Sequence, residues 1–535
     1  MNNDIAEVAA QVNTGLNALV ASQFAAARTG KVFTTKFPRY EISTSPTGIK
    51  MDDNEGMVCI PSTPTSKNTN DYESEPMFQI LECNWELDNA GNINITAIKG
   101  LNSEFARDGS NGQVGIINMP WYVKSWEDEN YWYISVSDTQ YSGYQPLGEC
   151  IKPDGSLQGF MVHAKYAMVE IDGKPYSASG RRPCAGGQQP TNVFHVEGGD
   201  DVTEKPTIVA PSYSGLINYC HKHSNFYCAE TSNDMFFMQL QYMIKYATLN
   251  SQSVLNGCFS YNYSYKCTVA EKKTRGIIIA TSNANNLVVG STCSIGTVSG
   301  DRYYATQNDI LYSRRISKIE QYDASNSKVW FETDLPEGYS FDTDTTYYLI
   351  TMPWYTGSCD NVLGMDGSAG NPINGKYPAL IGGMEYFVGG YETLGNVVMD
   401  IQTTEGSTVR HDVYIAHDAT ILSTDMTTVK SKFKKSQFTI PGGTNSWRWI
   451  TKCGVDLDNG IMVPIDFGAS SNTGFCDGVY TDAGTSGQRE WLAFGTLWGD
   501  SGCGAWALDA GHGLGYAAWL ILSRLSPNGM YGNLA

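Results

Sequence analysis

The stretch GTLWGDSGCGAW, residues 495–506, places Ser501 inside the letters G-D-S-G, a setting in which a serine can be the nucleophile of a hydrolase. Such a serine needs a histidine base and an orienting acid. The best upstream candidates are His417, 501 − 417 = 84 residues earlier, and Asp456 between the two. That separation is short for the two β-barrels that a trypsin-like enzyme needs, and Cys503 stands where its second glycine would be. The sequence therefore favours a polar turn without chemistry.

Other residue groups permit other chemistry. Zinc could be bound by the thiols and imidazoles of YCHKHSNFYC, which are Cys220, His221, His223 and Cys228. Paired carboxylates for glycoside cleavage, or ligands for calcium, could come from Asp52, Asp53 and Glu55 or from Asp456 and Asp458. The zinc spacing matches no common module, and the acids lie in turn-like sequence where Asp is frequent for backbone reasons. We expect no catalytic residues, no metal ligands and no cofactor, with calcium or zinc as the alternatives left open.

Composition restricts the function classes. Of 535 residues, 17% are charged, against about 25% in an ordinary domain. Glycine and tyrosine are abundant instead, at 55 and 32 residues, which favours turn-rich β structure. The net charge of −19 repels phosphate backbones, so nucleic-acid binding is not expected. The 13 cysteines form no tight framework, which predicts buried free thiols.

The amino terminus predicts where the chain is made. MNNDIAEVAAQVNTG has acids and amides where a signal peptide would carry basic and apolar residues. No run of 18 apolar residues predicts a membrane span. We expect synthesis in a cytoplasm and, for any role outside the cell, release by lysis or as part of a larger particle.

A helix is predicted over residues 1–30, capped by Asp4 and ended by Gly30. Its apolar positions recur at three and four residues and form a narrow stripe, which is marginally stable alone and favours association with identical helices. The predicted oligomerisation residues are Ile5, Val8, Val12, Leu16 and Leu19. The alternative is a helix packed on its own domain.

The remaining chain predicts a mainly β fold with few helices (α+β). Short alternating segments from residue 31 to 205 predict a β-rich attachment domain, ending near the polar GGDDVTEKP. A Met-and-aromatic stripe in DMFFMQLQYMIKYATLNSQSVLNGC, residues 234–258, predicts the one long interior helix. Strands over 268–352 predict a small β insertion. The segments 206–267 and 353–535 then form the final domain around it.

The chain from about residue 211 resembles the C-type-lectin-like fold of phage and retroelement variable proteins, which is related to the formylglycine-generating-enzyme fold. The likeness is carried in order by Ser214–Tyr219 with Tyr246–Ser253, by IGGMEYFVGGYETLGNVVMD (Ile381–Asp400), and by WGDSGCGAWAL…GYAAWLILSRLS (Trp498–Ser526). The part before residue 206 resembles, more weakly, the attachment regions of phage fibre-type proteins. The enzyme branch of this fold uses a reactive cysteine pair with copper, and Cys476 and Cys503 lie in the corresponding half of the chain.

This resemblance implies binding rather than catalysis. It implies a homotrimeric phage virion appendage of the tail- or head-fibre type, held to other virion proteins through its N-terminus and binding a host-surface glycan or protein. The alternatives are a purely structural decoration protein and, third, a depolymerase or other enzyme on this fold.

The predicted ligand-binding loops are Trp498–Cys503 and Asp509–Tyr516. A strand over Gly504–Leu508 would turn Trp506 into the core and leave these two loops outside. The predicted binding residues are Trp498, Asp500, Ser501, His512 and Tyr516, with Tyr263, Tyr265, Tyr480 and Trp491 as weaker additions.

Overall fold

The fold is known from a computed structural model of the chain. It describes residues 2–184, 192–194, 202–204, 212–297, 311–332, 339–341, 345–483 and 486–527. The predicted β-rich α+β class is confirmed, because strands account for 40% and helices for 14% of the chain. The helices are α1 (Asn2–Ala27), α2 (Tyr213–Cys220), α3 (Ser232–Tyr246), α4 (Thr281–Ala284) and α5 (Met426–Lys432).

The strands of the N-terminal part form two main sheets, ordered β2-β1-β7-β6-β8 and β4-β3-β5-β9, and two hairpins, β10-β11 and β12-β13. Their bounds are β1 (Val32–Pro38), β2 (Ile49–Asp52), β3 (Ile80–Leu87), β4 (Ile93–Ile98), β5 (Gln113–Asn118), β6 (Tyr122–Glu127), β7 (Tyr131–Ser137), β8 (Gln145–Pro146), β9 (Met161–Ala164), β10 (Met168–Ile171), β11 (Lys174–Ser177), β12 (Asn192–Phe194) and β13 (Val202–Glu204).

The predicted insertion coincides with a closed barrel ordered β15-β17-β20-β19-β18-β22, beside which β16 pairs with β21. The bounds here are β14 (Cys228–Ala229), β15 (Ser264–Val269), β16 (Glu271–Thr274), β17 (Gly276–Ala280), β18 (Thr292–Gly296), β19 (Leu311–Gln321), β20 (Asn326–Phe331), β21 (Tyr339–Phe341) and β22 (Tyr348–Met352).

The C-terminal part is built on a nine-stranded sheet, ordered β28-β27-β26-β32-β33-β31-β29-β30, with β34 parallel to β26. Two smaller sheets, β23-β24-β25 and β14-β35, flank it. The bounds are β23 (Gly367–Ser368), β24 (Ala379–Ile381), β25 (Met384–Tyr386), β26 (Tyr391–Thr404), β27 (Ser407–Ile415), β28 (Lys434–Pro441), β29 (Ser446–Asp456), β30 (Ile461–Phe467), β31 (Gly478–Thr481), β32 (Gly487–Ala493), β33 (Leu508–Asp509), β34 (Ile521–Leu522) and β35 (Leu525–Ser526).

Helix α3 lies at the centre of the main core, as its Met-and-aromatic stripe predicts. Thr231 and Asp234 close its N-terminus with a reciprocal capping box. The helix ends at Tyr246, twelve residues before the predicted limit, because Ala247 adopts a left-handed conformation (φ 47°) and residues 251–253 form a 3-10 turn. Apolar residues from both sides of residue 205 pack around α3, for example Phe33 and Trp121 before it and Val463 after it.

Helix α1 packs on its own chain through its C-terminal half. Leu16, Val20 and Phe24 are buried in a core shared with β4. The Asn17 side chain donates to the carbonyl of Ile93 and accepts from the amide of Ile95, which satisfies backbone groups of that strand. Of the predicted oligomerisation residues, Leu16 therefore serves the intrachain core, as the alternative interpretation states, and Leu19 is exposed. The side chains of Ile5, Val8 and Val12 lie outside the described residues.

Candidate ligand-binding surface

Asp500 and Ser501 lie side by side on an exposed turn. The turn is a single 3-10 turn, Asp500–Gly502. The chain holds it through the backbone of Asp500, whose N–H donates to the Phe259 carbonyl (2.9 Å) and whose carbonyl accepts from Gln252 Nε2 (2.8 Å). Because these bonds use only main-chain groups of the turn, the carboxylate and the hydroxyl are left for solvent or a ligand.

His512 and Tyr516 form the second group and are half-buried. Their rings stack with centroids 3.8 Å apart and planes 11° from parallel. His512 Nε2 lies 3.5 Å from Asp509 Oδ2, and Asp509 Oδ1 accepts from the Gly511 amide at 2.9 Å. Tyr391 donates its hydroxyl to the same carboxylate. The loop is therefore shaped by its own side chains before any ligand arrives.

Strand β31 runs between the turn and the loop and brings them to one face. Its Tyr480 is paired across the sheet with Trp447 of β29, and the two ring centroids are 5.9 Å apart. A Cβ on Gly478 would meet the Trp447 ring at 3.0 Å and the Gly502 carbonyl at 3.3 Å. The Gly502 end of the turn therefore lies beside Trp447.

Tyr480 has an equally close neighbour on its other side. A Cβ on Gly511 would approach the Tyr480 ring to 2.6 Å, so the 509–516 loop lies against this tyrosine. We call the face that these segments share the β31 surface. Its residues are Trp447, Tyr480, Asp500, Ser501, His512 and Tyr516.

The β31 surface is aromatic and acidic. Burial raises the pKa of Tyr480, and the carboxylates of Asp482 and Asp509 raise it further. Burial followed by the Asp500 carboxylate likewise raises the pKa of Tyr263, so this tyrosine lies next to the turn. Arg489 is turned onto Asp482, with Nε 2.8 Å from its carboxylate. The surface therefore offers carboxylate acceptors, hydroxyls and aromatic rings, and suits a neutral or cationic ligand better than an anionic one.

Trp498 and Trp491 are placed differently from the other predicted residues. Trp498 is half-buried and packs edge-on against Trp519, 6.0 Å between centroids, in the core shared with the barrel. Trp491 is buried in the main core, so it is not a surface contact. Tyr265 is half-buried and stacks on Tyr263 at 5.2 Å.

Trp447 is the residue that sequence reasoning missed. It is 43% exposed at the start of β29. The alternation in SWRWI contains a signal, because a half-buried strand turns every second residue outward. Nothing in the sequence, however, says which register faces solvent, and the partner Tyr480 is 33 positions away.

The predicted strand Gly504–Leu508 is wrong, although Trp506 is buried as expected. Only Leu508–Asp509 pairs with other strands, and residues 504–506 form a turn. The cause is the buried carboxylate of Asp477, which accepts the Trp506 N–H at 2.8 Å and withdraws it from a ladder. Gly504 has φ +148°, and a Cβ there would lie 2.2 Å from that carboxylate.

The alternative catalytic groups serve the packing of the chain. His417 Nε2 lies 2.9 Å from the amide oxygen of Asn459, whose amide nitrogen donates to Asp456. His417, Asn459 and Asp456 are thus hydrogen-bonded to one another. The turn that carries Ser501 is instead bonded to Gln252 and Phe259. Burial raises the pKa of the Cys503 thiol, and it raises that of Cys476 to about 12, which opposes a reactive thiolate.

The thiols and imidazoles of the predicted zinc group do not converge. Cys220 and Cys228 are buried free thiols. His223 Nε2 lies 2.6 Å from the Pro175 carbonyl, which holds this ring in a hydrogen bond to the backbone. Among the described residues, only a different group, Glu149, His163 and Asp234, brings three such donors together. All 13 cysteines are free thiols and eleven are buried, as their scattered positions predict.

Comparison with known proteins adds no relative. No protein-family model matches the chain, and the comparison with curated proteins finds no match. Within the described residues, no helix has the length and apolar character needed to cross a membrane.

Proposed function

We propose that the protein is a binding protein that takes a neutral saccharide at the β31 surface. The observation that carries the proposal is the meeting of two preshaped segments, one exposed and one half-buried, around the Trp447–Tyr480 pair. A rigid sheet that displays loops held by their own hydrogen bonds loses little conformational entropy on binding. Aromatic rings pack against the apolar faces of a sugar, and the adjoining carboxylate and hydroxyl accept from its hydroxyl groups.

The resemblance to the C-type-lectin-like proteins of phages suggests where such binding would act. A homotrimeric phage virion appendage would carry three copies of the surface, anchored to the particle near its N-terminus, and would multiply weak saccharide contacts at the host surface into avidity. The acidic surface argues against sialylated or phosphorylated targets, since like charges repel. The chemistry assigned to the surface is recognition, with no bond broken.

The test is binding of the full chain to an array of immobilised neutral and anionic bacterial polysaccharides. We expect neutral saccharides to be bound, and Trp447→Ala to reduce that binding at least tenfold. The matched control is Trp126→Ala, because Trp126 is comparably exposed but lies on β6 in the N-terminal sheet. Equal losses in both variants would contradict the assignment of the surface, and absence of binding by the unaltered chain would favour the purely structural role.

A further inference from the structure

Three polar side chains from separate elements meet in the interior. Glu149 lies in a 3-10 turn (Gly148–Cys150), His163 14 residues later in β9, and Asp234 71 residues beyond it in the first turn of α3. All three side chains are buried. One donor atom from each lies within 4.8 Å of the donor atoms of the other two.

The positions of Asp234 and His163 are fixed by neighbours. Asp234 Oδ2 accepts from the amide and hydroxyl of Thr231, at 3.1 and 2.6 Å, and from the Ser526 hydroxyl. Its Oδ1 lies 3.0 Å from His163 Nδ1. The imidazole stacks on Phe237, with centroids 4.2 Å apart and planes 2° from parallel. The ring therefore has one orientation and a defined direction for its second nitrogen.

The remaining polar atoms of the group have no hydrogen-bond partner within the described part of the chain. They are both carboxyl oxygens of Glu149 and Nε2 of His163. A buried polar group left without a partner costs about 1–3 kcal/mol, and more for a charge. The unpartnered Glu149 carboxyl lies within 4.8 Å of donor atoms of the His163–Asp234 pair, so a positive charge among the three side chains would be stabilised. Such an ion would bind the His163 nitrogen that faces Asp234, in place of their hydrogen bond.

We propose that Glu149, His163 and Asp234 bind a divalent transition-metal ion of the zinc type. Two carboxylates and a neutral imidazole form a set whose charge a divalent ion cancels. An imidazole among oxygen donors favours zinc or a neighbouring transition metal over calcium and magnesium, which take oxygen ligands. Donor atoms within 4.8 Å of one another can all reach an ion at the roughly 2.0–2.2 Å that zinc requires once the His163–Asp234 hydrogen bond opens.

The ion would be structural. Its ligands come from the turn before β9, from β9 itself and from α3, so it would tie the N-terminal sheet to the central helix. Because the ligands are enclosed, it would enter as the chain folds. An ion that binds the folded chain but not the unfolded chain increases the free energy of unfolding.

The experiment measures the metal content of the full, tag-free chain from cells grown with zinc, and in parallel with cobalt, whose visible absorption reports nitrogen and oxygen ligands. We expect about one ion per chain, and a near-complete loss in Glu149→Gln. The matched control is Glu490→Gln, because Glu490 is also buried with both oxygens unpartnered but, among the described residues, belongs to no group of three such donors. We expect this control to keep its ion.

Two results of the metal measurement would overturn the proposal. Less than a tenth of an ion per unaltered chain, with no cobalt spectrum, would overturn the proposal and assign the space to water. Retention of the ion by Glu149→Gln would also overturn it. If Glu149→Gln does not accumulate, the milder His163→Gln and the content of the unaltered chain decide the question.

Discussion

The imidazole of His512 lies flat on the phenol ring of Tyr516, at a centroid distance of 3.8 Å, within the loop that follows β33. An offset stack of this kind is worth about 0.5–1.5 kcal/mol beyond the area it buries. His512 is also close to Asp509, whose carboxylate holds the Gly511 amide. The stack therefore presents a fixed edge next to Tyr480 rather than two mobile side chains.

Removing Tyr516 should weaken binding without unfolding the chain. In Tyr516→Ala we expect saccharide affinity to fall about three- to tenfold, because His512 loses its support and must be ordered by the ligand. The melting temperature should change little, since both rings are partly exposed. Isothermal titration against the best neutral saccharide from the array measures the first effect. Tyr322→Ala, an exposed tyrosine of the barrel region, is the control and should bind normally.

Ser501 distinguishes recognition from hydrolysis. In Ser501→Ala we expect affinity to fall by less than about tenfold, the loss of one neutral hydrogen bond, with unchanged folding. Polysaccharide and peptide substrates should remain intact with either protein, as followed by reducing-end and amine release. A hydrolytic rate in the unaltered chain that disappears in Ser501→Ala would restore the enzyme interpretation.

Lys245 and Asp366 form a fully buried ion pair at the end of α3. Lys245 Nζ lies 2.8 Å from Asp366 Oδ2, and neither side chain is accessible to solvent. Lys245→Met leaves a buried carboxylate without its cation, so we expect the free energy of unfolding to fall by about 3–5 kcal/mol. Lys430→Met is the matched control: Lys430 lies at the same distance from Asp400 but is itself 51% exposed, so its loss should cost less than about 1 kcal/mol. Urea denaturation followed by tryptophan fluorescence compares the two.

Helices and strands were predictable from sequence where one continuous segment contains the whole hydrophobic periodicity. The stripe from Met235 to Tyr242 predicts a buried helix, and the alternating segments predict a β-rich chain. A buried carboxylate accounts for the strand that was predicted wrongly. Asp477 removes the strand at 504–506 by accepting the Trp506 amide, and no local pattern shows that a distant carboxylate will do so.

The candidate surface was predictable only in part for a related reason. Asp500, Ser501, His512 and Tyr516 lie in glycine-rich loops, which sequence places outside. Trp447 joins them through the register between β29 and β31, which is set by pairing across the sheet. The group of Glu149, His163 and Asp234 depends on three separate elements, so spacing along the chain carries no signal for it.

Glu385 should make stability depend on pH. Burial raises its pKa from 4.5 to about 7, although the amides of Gly357 and Cys359 donate to its carboxylate and oppose the shift. A carboxyl whose pKa is higher in the folded than in the unfolded chain makes its full contribution to the stability of the folded chain below pH 4.5. That contribution is lost as the pH rises to about 7. At about 1.4 kcal/mol per pKa unit, the loss is roughly 3 kcal/mol.

The measurement compares the free energy of unfolding at pH 5 and pH 8 for the unaltered chain and for Glu385→Gln. We expect the variant to be less stable at pH 5, because an amide cannot accept from both N–H groups. The change in the free energy of unfolding between pH 5 and pH 8 should nevertheless be smaller in Glu385→Gln than in the unaltered chain, by roughly 3 kcal/mol. An identical pH difference in both proteins would show that Glu385 titrates as an ordinary carboxyl.

Substitutions at Leu16 and Leu19 distinguish the two roles predicted for helix α1, which are packing on its own chain and joining copies of the chain. Leu16 is buried against the chain's own β4, whereas Leu19 is 41% exposed. Leu16→Ala should therefore lower the free energy of unfolding by about 2–5 kcal/mol through the cavity it creates. Leu19→Asp should leave the fold intact and, if α1 joins copies in a trimer, lower the mass measured by light scattering from three chains to one. A single-chain mass for the unaltered protein would exclude the trimer, and a trimer that survives Leu19→Asp would place its contacts away from this position of the helix.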